Sequence, residues 1–592
     1  MAGSMCLEIR EMCPTVPLYR RRIERFLASN SLRYDDVDYY AALVDTATDE
    51  IVAGGGLKGD IIKCVAVAEG YKGEAVANSV VSHLIARASA SGHHCVRLFT
   101  KPANRKLFES VSFRLLAEAG QAVLMETGVG GIEDVRRYLK SCRVECEQLV
   151  GCVVANCNPF TKGHLYLVEQ AARQVGWLYV MVVGENCSMF DYAERKAMAR
   201  LATAHLPNVS VVDGNAYAVS STTFPTYFLK RVDDASATQM ELDIDLYRRH
   251  IAPALGATVR FVGSEPTDVL TRQYNAAMCR MLPDVRVVER VRMDGTAVSA
   301  SLVRRWIVEN RLAAASRLVP HTDIPYLLGH MATRAIKAEL NTTPKPGLVD
   351  CRDNGAHTDM DHGMMLASIR ELHPFFVRLA LMGYDSCLPP AHLVQEVGIE
   401  AEAAMLTTTK GVNTYRGALF AMGLAVVAAA HALYDSGGAP GTDILGDVRR
   451  GIMTLAGGMA AANGTHGRKV CVGNAGRIRL KGALESAKEG YGLLFGEWLP
   501  FYDSGMRCAD SHVMHKTLLR IMCDLDDTNV VYRTSVDTLD EVKAEARHLL
   551  ADFSIEGLER MNDSFVRRNI SPGGSADMLS LVVFLHGIGR KM

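Results

Sequence analysis

The sequence predicts three successive architectures in one chain. They are a small α/β domain over residues 1–145, a doubly wound α/β domain with a parallel sheet over 146–320, and an all-α domain over 321–592. Three observations lead there. A chain of 592 residues is too long for one ordinary core and calls for three or four domains. Between residues 149 and 288, short valine-rich apolar runs alternate with stretches of helical spacing, the pattern of a sheet buried on both faces. From residue 324 onward apolar residues recur at helical spacing, with no β-branched strand runs between them.

Composition narrows the function classes. The net charge is -1 and no long basic run is present, which argues against a nucleic-acid partner held by its phosphates. The 15 cysteines are an odd number without a C-x-x-C pair, as expected of free thiols in a reducing cytoplasm. Cys142, Cys146, Cys152 and Cys157 cluster along the chain, but Cys152 falls inside a predicted strand and no zinc-type spacing accompanies them. The opening MAGSMCLEIREMC mixes acidic and basic residues before any apolar stretch, so no signal peptide is expected. Residues 417–434 carry no formal charge, yet Ala and Gly dominate and the run is short of the ~20 strongly apolar residues of a membrane span. A buried helix is expected there, with no membrane partner.

In the first domain, residues 51–56 and 61–67 read as paired strands, 69–73 as a turn, 75–90 as a helix and 96–100 as a further strand. With Asn104 and Phe113 following, this order resembles the GNAT-type acyltransferase fold, whose turn binds the pyrophosphate of coenzyme A through backbone amides. The resemblance implies a site for a coenzyme A arm at Lys72, Gly73 and Asn104, although Ala75 stands where that family has a turn glycine. Two roles follow: holding a carrier arm for the next domain, or an inactive relic that orients it.

The second domain opens with LVGCVVA at 149–155, a strand, followed by punctuation at 156–162. After Gly163 the spacing is helical, with Leu165, Val168, Ala172 and Val175 on one face. Thr161, Lys162 and His164 therefore sit where a strand hands over to a helix N-terminus. Unpaired amides and the helix dipole favour an anion there, Gly163 permits close approach, and His164 adds a donor toward charge developing on phosphorus. A βα turn with a capping threonine and a surface lysine would share the bare T-x-G-H pattern. Further strands are predicted at 177–183, 209–212, 259–262 and 285–288. The loop SSTT at 220–223 reads as a cap or as a polar pocket for acetate or phosphate.

The segment NPFTKGHLYLVEQA resembles the T/H-x-G-H signature of the nucleotidyltransferase superfamily, in the form found in citrate lyase ligase. VSASLVR at 298–304 resembles the superfamily's second signature, I-S-x-T/S-x-x-R, with Ser299 as N-cap and Arg304 in the first turns. The resemblance implies catalysis by Thr161, His164 and Arg304, with ATP held by Asn158, Phe160, Lys162, Gly163, Gly263, Glu265, Ser299 and Ser301. It further implies Mg²⁺ with ATP, attack of acetate on the α-phosphorus, and acetyl transfer to the prosthetic thiol of the citrate lyase acyl carrier protein.

The third domain carries its polar residues in loops: NTTPKPGLVD at 341–350, HTDMDH at 357–362, GVNTYRG at 411–417, GTHG at 464–467, DDTN at 526–529 and SPGGSAD at 571–577. Pro344 and Pro346 forbid helix, and the carboxylate pairs Asp359/Asp361 and Asp526/Asp527 suit Mg²⁺. Each pair alone would more often be a solvated cap or an ion-pair partner. Together the loops resemble triphosphoribosyl-dephospho-coenzyme A synthase, which joins dephospho-coenzyme A to the ribose of ATP and expels adenine. The resemblance implies Asp359 and Asp361 as metal ligands or base, Asp526 and Asp527 as further metal ligands, and Lys345 and Arg416 as phosphate donors. His357, His362 and His466 are further candidates, and residues 468–491 depart from the family pattern.

Both resemblances point to one pathway, so the expected protein is a bifunctional citrate lyase maturation enzyme. Two alternatives remain at this level: a nucleotidyltransferase acting on a pantetheine phosphate, which TFPTYFLK at 223–230 disfavours, and a carrier-docking scaffold, which intact Thr161, His164, Ser299 and Arg304 disfavour.

Overall fold

The computed structural model describes residues 6–71, 74–184, 188–214, 217, 233–265, 268–293, 295–441, 443–460, 470 and 480–590. They form two compact units, Met1–Cys157 with Gly163–Ala297, and Asn158–Lys162 with Val298–Met592.

The first unit holds two sheets. Strands β1 (Leu7–Met12), β2 (Tyr39–Asp45), β3 (Glu50–Lys58), β4 (Ile61–Val67), β5 (Cys95–Thr100), β6 (Arg114–Glu118) and β7 (Val123–Gly128) make a sheet of order β1-β2-β3-β4-β5-β7-β6. All neighbours are antiparallel except β4 and β5. The helix Glu74–Ala90 covers one face, burying Val80 and Leu84 against Leu43, Val52, Ile62 and Leu98. On the other face Ile23 and Leu27 of the helix Pro17–Ser29 enter a core that runs on into the second sheet, where Leu124, Ile132 and Leu139 join Tyr179, Leu242 and Leu255. The expected strand–turn–helix–strand order is present. The edge strand β1, its neighbour β2 and the hairpin β6–β7 were not expected: LEIREM alternates weakly, and its pairing is set by the partner strand rather than by its own pattern.

The second sheet contains β8 (Val150–Ala155), β9 (Trp177–Val182), β10 (Val209–Asp213), β11 (Val259–Gly263) and β12 (Val285–Val288), in the order β10-β9-β8-β11-β12. Every pairing is parallel. The valine-rich runs become strands because helices close both faces, leaving Cys152, Val153, Leu178, Val180 and Val182 buried. The strand order reverses between β8 and β11, and the carboxyl edge at such a reversal is where open α/β sheets bind ligands. Past β10 the chain turns at Gly214, where a Cβ would lie 1.8 Å from the Val182 carbonyl oxygen, so that only glycine fits.

The second unit is helical; among its described residues no strand occurs. Its centre is the helix Arg416–Asp435, against which His362–Gly383, Ile444–Gly457 and Gly573–Gly589 pack. By length and composition Arg416–Asp435 could cross a membrane, but its apolar residues from Ala418 to Leu433 are buried among these helices. Small side chains let the axes approach: a Cβ on Gly383 would lie 2.3 Å from the Val427 carbonyl oxygen.

Candidate functional sites

The first site lies where β8 ends. Phe160 and Thr161 are buried, the Asn158–Pro159 peptide is cis, and the helix Lys162–Ala172 begins immediately after. Lys162 donates its backbone N–H to the Leu318 carbonyl at 2.8 Å, so one amide of that helix N-terminus is already satisfied. Burial, then the neighbouring Arg317 charge, lowers the Lys162 ammonium from its ordinary value. Burial and the Arg290 charge bring the His164 imidazole down to about 4. At pH 7 it is neutral, with one N–H to offer and no charge to repel an arriving cation.

Arg304 rises from the helix Ala300–Val308 and its Nη1 donates to the Asn158 carbonyl, so the two signature segments meet. Ser299 occupies the N-cap position, but its hydroxyl hydrogen-bonds Ser301 at 2.7 Å rather than capping the helix. Gly263 accepts from Asn275 Nδ2 at 2.9 Å. Glu265 ion-pairs with Arg290, whose backbone N–H donates to Ser264 Oγ at 2.9 Å. Arg290 thus faces both His164 and Glu265, and no sequence signature pointed to it.

A second unflagged residue is Arg195, fully buried on the helix Tyr192–Thr203. Its Nη1 donates to Asn156 O at 2.7 Å, Asn156 Oδ1 at 2.8 Å and Val183 O at 2.8 Å, tying the ends of β8 and β9 together.

In the first sheet, Asn104 Nδ2 donates to Thr100 Oγ1 at 3.1 Å, holding its own loop to β5. Lys72 and Gly73 lie outside the described residues, as do Ser220, Ser221, Thr222, Thr223 and His466. Tyr217, beyond β10, donates its phenol to the fully buried Glu126 of β7, which also accepts from Arg114 Nη2 at 2.6 Å.

The helical unit gives each carboxylate of the two sequence pairs partners of its own. Asp526 takes Lys543 Nζ at 2.5 Å. Asp527 is buried and accepts from Asn529 N at 3.0 Å, Gly574 N at 3.3 Å, Ser575 N at 2.8 Å and Ser575 Oγ at 3.1 Å, capping two helices at once. Asp361 caps the helix His362–Gly383 by accepting from Met364 N at 2.8 Å. Asp359 is exposed, with an oxygen 3.6 Å from His357 Nδ1, and His357 Nε2 lies 2.8 Å from Ser571 Oγ. His362 Nε2 stands 3.0 Å from Asn341 Oδ1. Lys345 is buried and ion-paired with the buried Glu339, and its N–H donates to Asp350 Oδ2 at 2.9 Å. Arg416 pairs with Glu402.

The sequence singled out 571–577 without giving Asp577 a role. The Asp577 carboxylate lies over Gly417, where a Cβ would come within 1.9 Å of its Oδ2, and it accepts from the Ala418 backbone at the start of the central helix. Burial, then the charges of Asp527 and Glu339, push its carboxyl well above the usual carboxylate range. Beside it Tyr415 and Tyr491 have buried hydroxyls that find no hydrogen-bond partner among the described residues.

A reversing parallel sheet with the T-x-G-H turn, followed by a helical unit with buried carboxylates, defines a nucleotidyltransferase-type domain joined to an all-α enzyme domain. Residues 150–327 match the citrate lyase ligase C-terminal domain, and residues 325–592 match the ATP:dephospho-CoA triphosphoribosyl transferase family. The [citrate [pro-3S]-lyase] ligase of Escherichia coli K12 is 36% identical over 316 residues, covering 52% of this chain and 89% of that one. In Klebsiella pneumoniae two proteins match: its [citrate [pro-3S]-lyase] ligase at 36% over 52% of this chain and 92% of its own length, and its 2-(5''-triphosphoribosyl)-3'-dephosphocoenzyme-A synthase at 35% over 43% and 87%. The chain belongs to the citrate lyase ligase family in its first half and to the triphosphoribosyl-dephospho-CoA synthase family in its second, a ligase and a transferase of citrate lyase maturation in one polypeptide.

Proposed function

We propose that the first half activates acetate and the second half makes the prosthetic-group precursor. In the first reaction an acetate oxygen attacks the α-phosphorus of ATP, the bond to the β-phosphate oxygen breaks, and pyrophosphate leaves acetyl-AMP. The thiol on the prosthetic arm of the citrate lyase acyl carrier protein then attacks the acetyl carbon, and AMP departs. Thr161, the amides at the start of Lys162–Ala172 and neutral His164 bind the α-phosphate, while Arg304, Ser299 and Ser301 neutralise the leaving pyrophosphate. Asn158, Phe160, Lys162, Gly163, Gly263 and Glu265 line the nucleotide. Arg290 holds Glu265 in place and adds its charge to the burial that keeps His164 unprotonated.

In the second reaction a ribose hydroxyl of dephospho-coenzyme A attacks C1′ of the ATP ribose, and the bond to adenine breaks with a proton delivered to the base. Asp577, whose carboxyl burial pushes well above the usual carboxylate range, is the donor to adenine, and His357 with Asp359 takes the hydroxyl proton. Mg²⁺ accompanies ATP in both halves, and it requires few carboxylates because phosphates and water complete its shell. In the helical unit Asp359 and Asp361 would hold it; Asp526 and Asp527 are engaged by Lys543 and by helix ends. Lys345 acts through Glu339, shaping the loop, rather than as a phosphate donor, and Arg416 stands at the mouth of the central helix. The first sheet receives the carrier arm. The free thiols fit a reducing cytoplasm.

The observation that carries this reading is the coverage of the two halves by two families that act on one prosthetic group. Its test is chromatography of nucleotide products after incubating the protein with MgATP plus acetate, or MgATP plus dephospho-coenzyme A. AMP and pyrophosphate are expected in the first mixture and free adenine in the second; a mixture yielding neither removes the corresponding half.

A further inference from the structure

Beneath the carboxyl edge of the second sheet lies a cavity of about 50 Å³, on the face covered by the helices Asp233–Leu246 and Val269–Met281. Val154 of β8 and Val183 and Gly214, the first residues past β9 and β10, bring it to the edge where the T-x-G-H turn emerges. Its walls are mostly apolar, with Met181, Ile244 and Met278 among them.

Into this space projects Arg260 of β11, only 5% exposed. A guanidinium so placed is ordinarily matched by a carboxylate. Arg260 has none among the described residues. Its Nη1 reaches the Cys152 sulfur, at 4.0 Å, a weak acceptor, and the guanidinium also meets the neutral Tyr247 hydroxyl; among the described residues its Nε has no hydrogen-bond partner. The guanidinium carbon lies over the Tyr247 ring, 4.5 Å from its centroid, and that neutral ring does not neutralise it. The wall's acidic residue, Asp243, already accepts from the Tyr274 phenol. The cavity therefore offers one uncompensated positive charge, a few hydrogen-bond donors, and room for only a few heavy atoms.

We propose that this cavity is the carboxylate pocket for the acyl donor of the ligase half, in which Arg260 binds a short-chain monocarboxylate such as acetate and Met278 limits its length. The assignment rests on the adenylation reading above and deepens it by naming the group that selects the acid. A bound carboxylate supplies the charge that Arg260 lacks. An apolar wall receives the methyl group, and one more methylene meets Met278 on the helix Val269–Met281. A dicarboxylate would bring a second charge to apolar walls and to Asp243, and is excluded.

The test is pyrophosphate exchange into ATP by the full-length protein, dependent on acetate or propionate. Replacing Arg260→Met should raise the acetate KM at least tenfold and leave the ATP KM within twofold of wild type. Replacing Met278→Ala, which keeps the charge, should shift the propionate-to-acetate ratio of kcat/KM roughly tenfold toward propionate, since one methylene in an apolar pocket is worth about 10- to 200-fold. Should Arg260→Met fail to fold, the Met278→Ala ratio decides alone. Exchange in the wild type with both variants unmoved overturns the pocket assignment and leaves adenylation standing. No exchange in the wild type overturns both.

Discussion

Removing His164 should flatten a pH dependence that the wild-type fold carries. Its imidazole moves from an ordinary 6.5 to about 4 because burial and the Arg290 charge penalise the protonated ring. Between those values the unfolded chain binds a proton that the folded chain refuses, so this contribution is fully present above 6.5 and is lost as pH falls toward 4. Linkage puts the loss at about 1.4 kcal/mol between pH 8 and pH 5.5, and about 3 kcal/mol by pH 4. These are upper values, because part of the residue still meets solvent. Other buried histidines and carboxylates add their own slopes, so the informative quantity is the difference between wild type and His164→Gln. That difference should move in the variant's favour by about 1.4 kcal/mol over the upper interval, roughly 3–6 °C in the transition that the substitution shifts. Calorimetry at pH 8 and 5.5 measures it. In parallel, acetate-dependent pyrophosphate exchange should fall about 10²- to 10³-fold in the variant, while the wild-type rate owes no loss to His164 protonation down to pH 5. Parallel stability curves for the two proteins would refute a neutral, buried His164.

Two further outcomes concern the helical unit. Gly417→Ala should abolish adenine release while acetate-dependent AMP formation continues, because the new Cβ would strike the Asp577 carboxylate at 1.9 Å; normal adenine release would show that this approach is not needed. Lys345→Met alone should destabilise the unit by about 3–5 kcal/mol, since it strands Glu339 as a buried charge, and Lys345→Met with Glu339→Leu should recover most of that. Denaturant titration of the single and double variants separates a structural ion pair from a phosphate-binding lysine, for which the double variant would be stable yet show a raised ATP KM.

The second sheet was legible because a strand buried on both faces must be apolar at nearly every position, so VGCVVA and WLYVMV announce themselves. The first signature was legible because a helix N-terminus needs its special residues adjacent in the chain. What remained hidden depends on distant segments meeting. Asp526 and Asp527 are neighbours in sequence, but one faces Lys543 and the other the helix that starts at Gly573, so adjacency did not mean a shared ligand. Asp577 becomes an acid of note only because Gly417 leaves room for it, and the 159 intervening residues conceal that. Arg195 and Arg290 look like surface arginines until their partners, the ends of β8 and β9 for one and Glu265 for the other, are brought to them by the fold.

The bond from Tyr217 to Glu126, with the core that Leu124 and Ile132 share with Tyr179 and Leu242, has a consequence for dissecting or recombining such enzymes. The first sheet serves as the back wall of the second, parallel sheet, so it does not behave as a detachable module. A chain trimmed to begin at β8 would expose that shared core to water and deprive the segment beyond β10 of its anchor. Lineages that reshuffle this pathway are accordingly constrained to inherit the two sheets as one cassette.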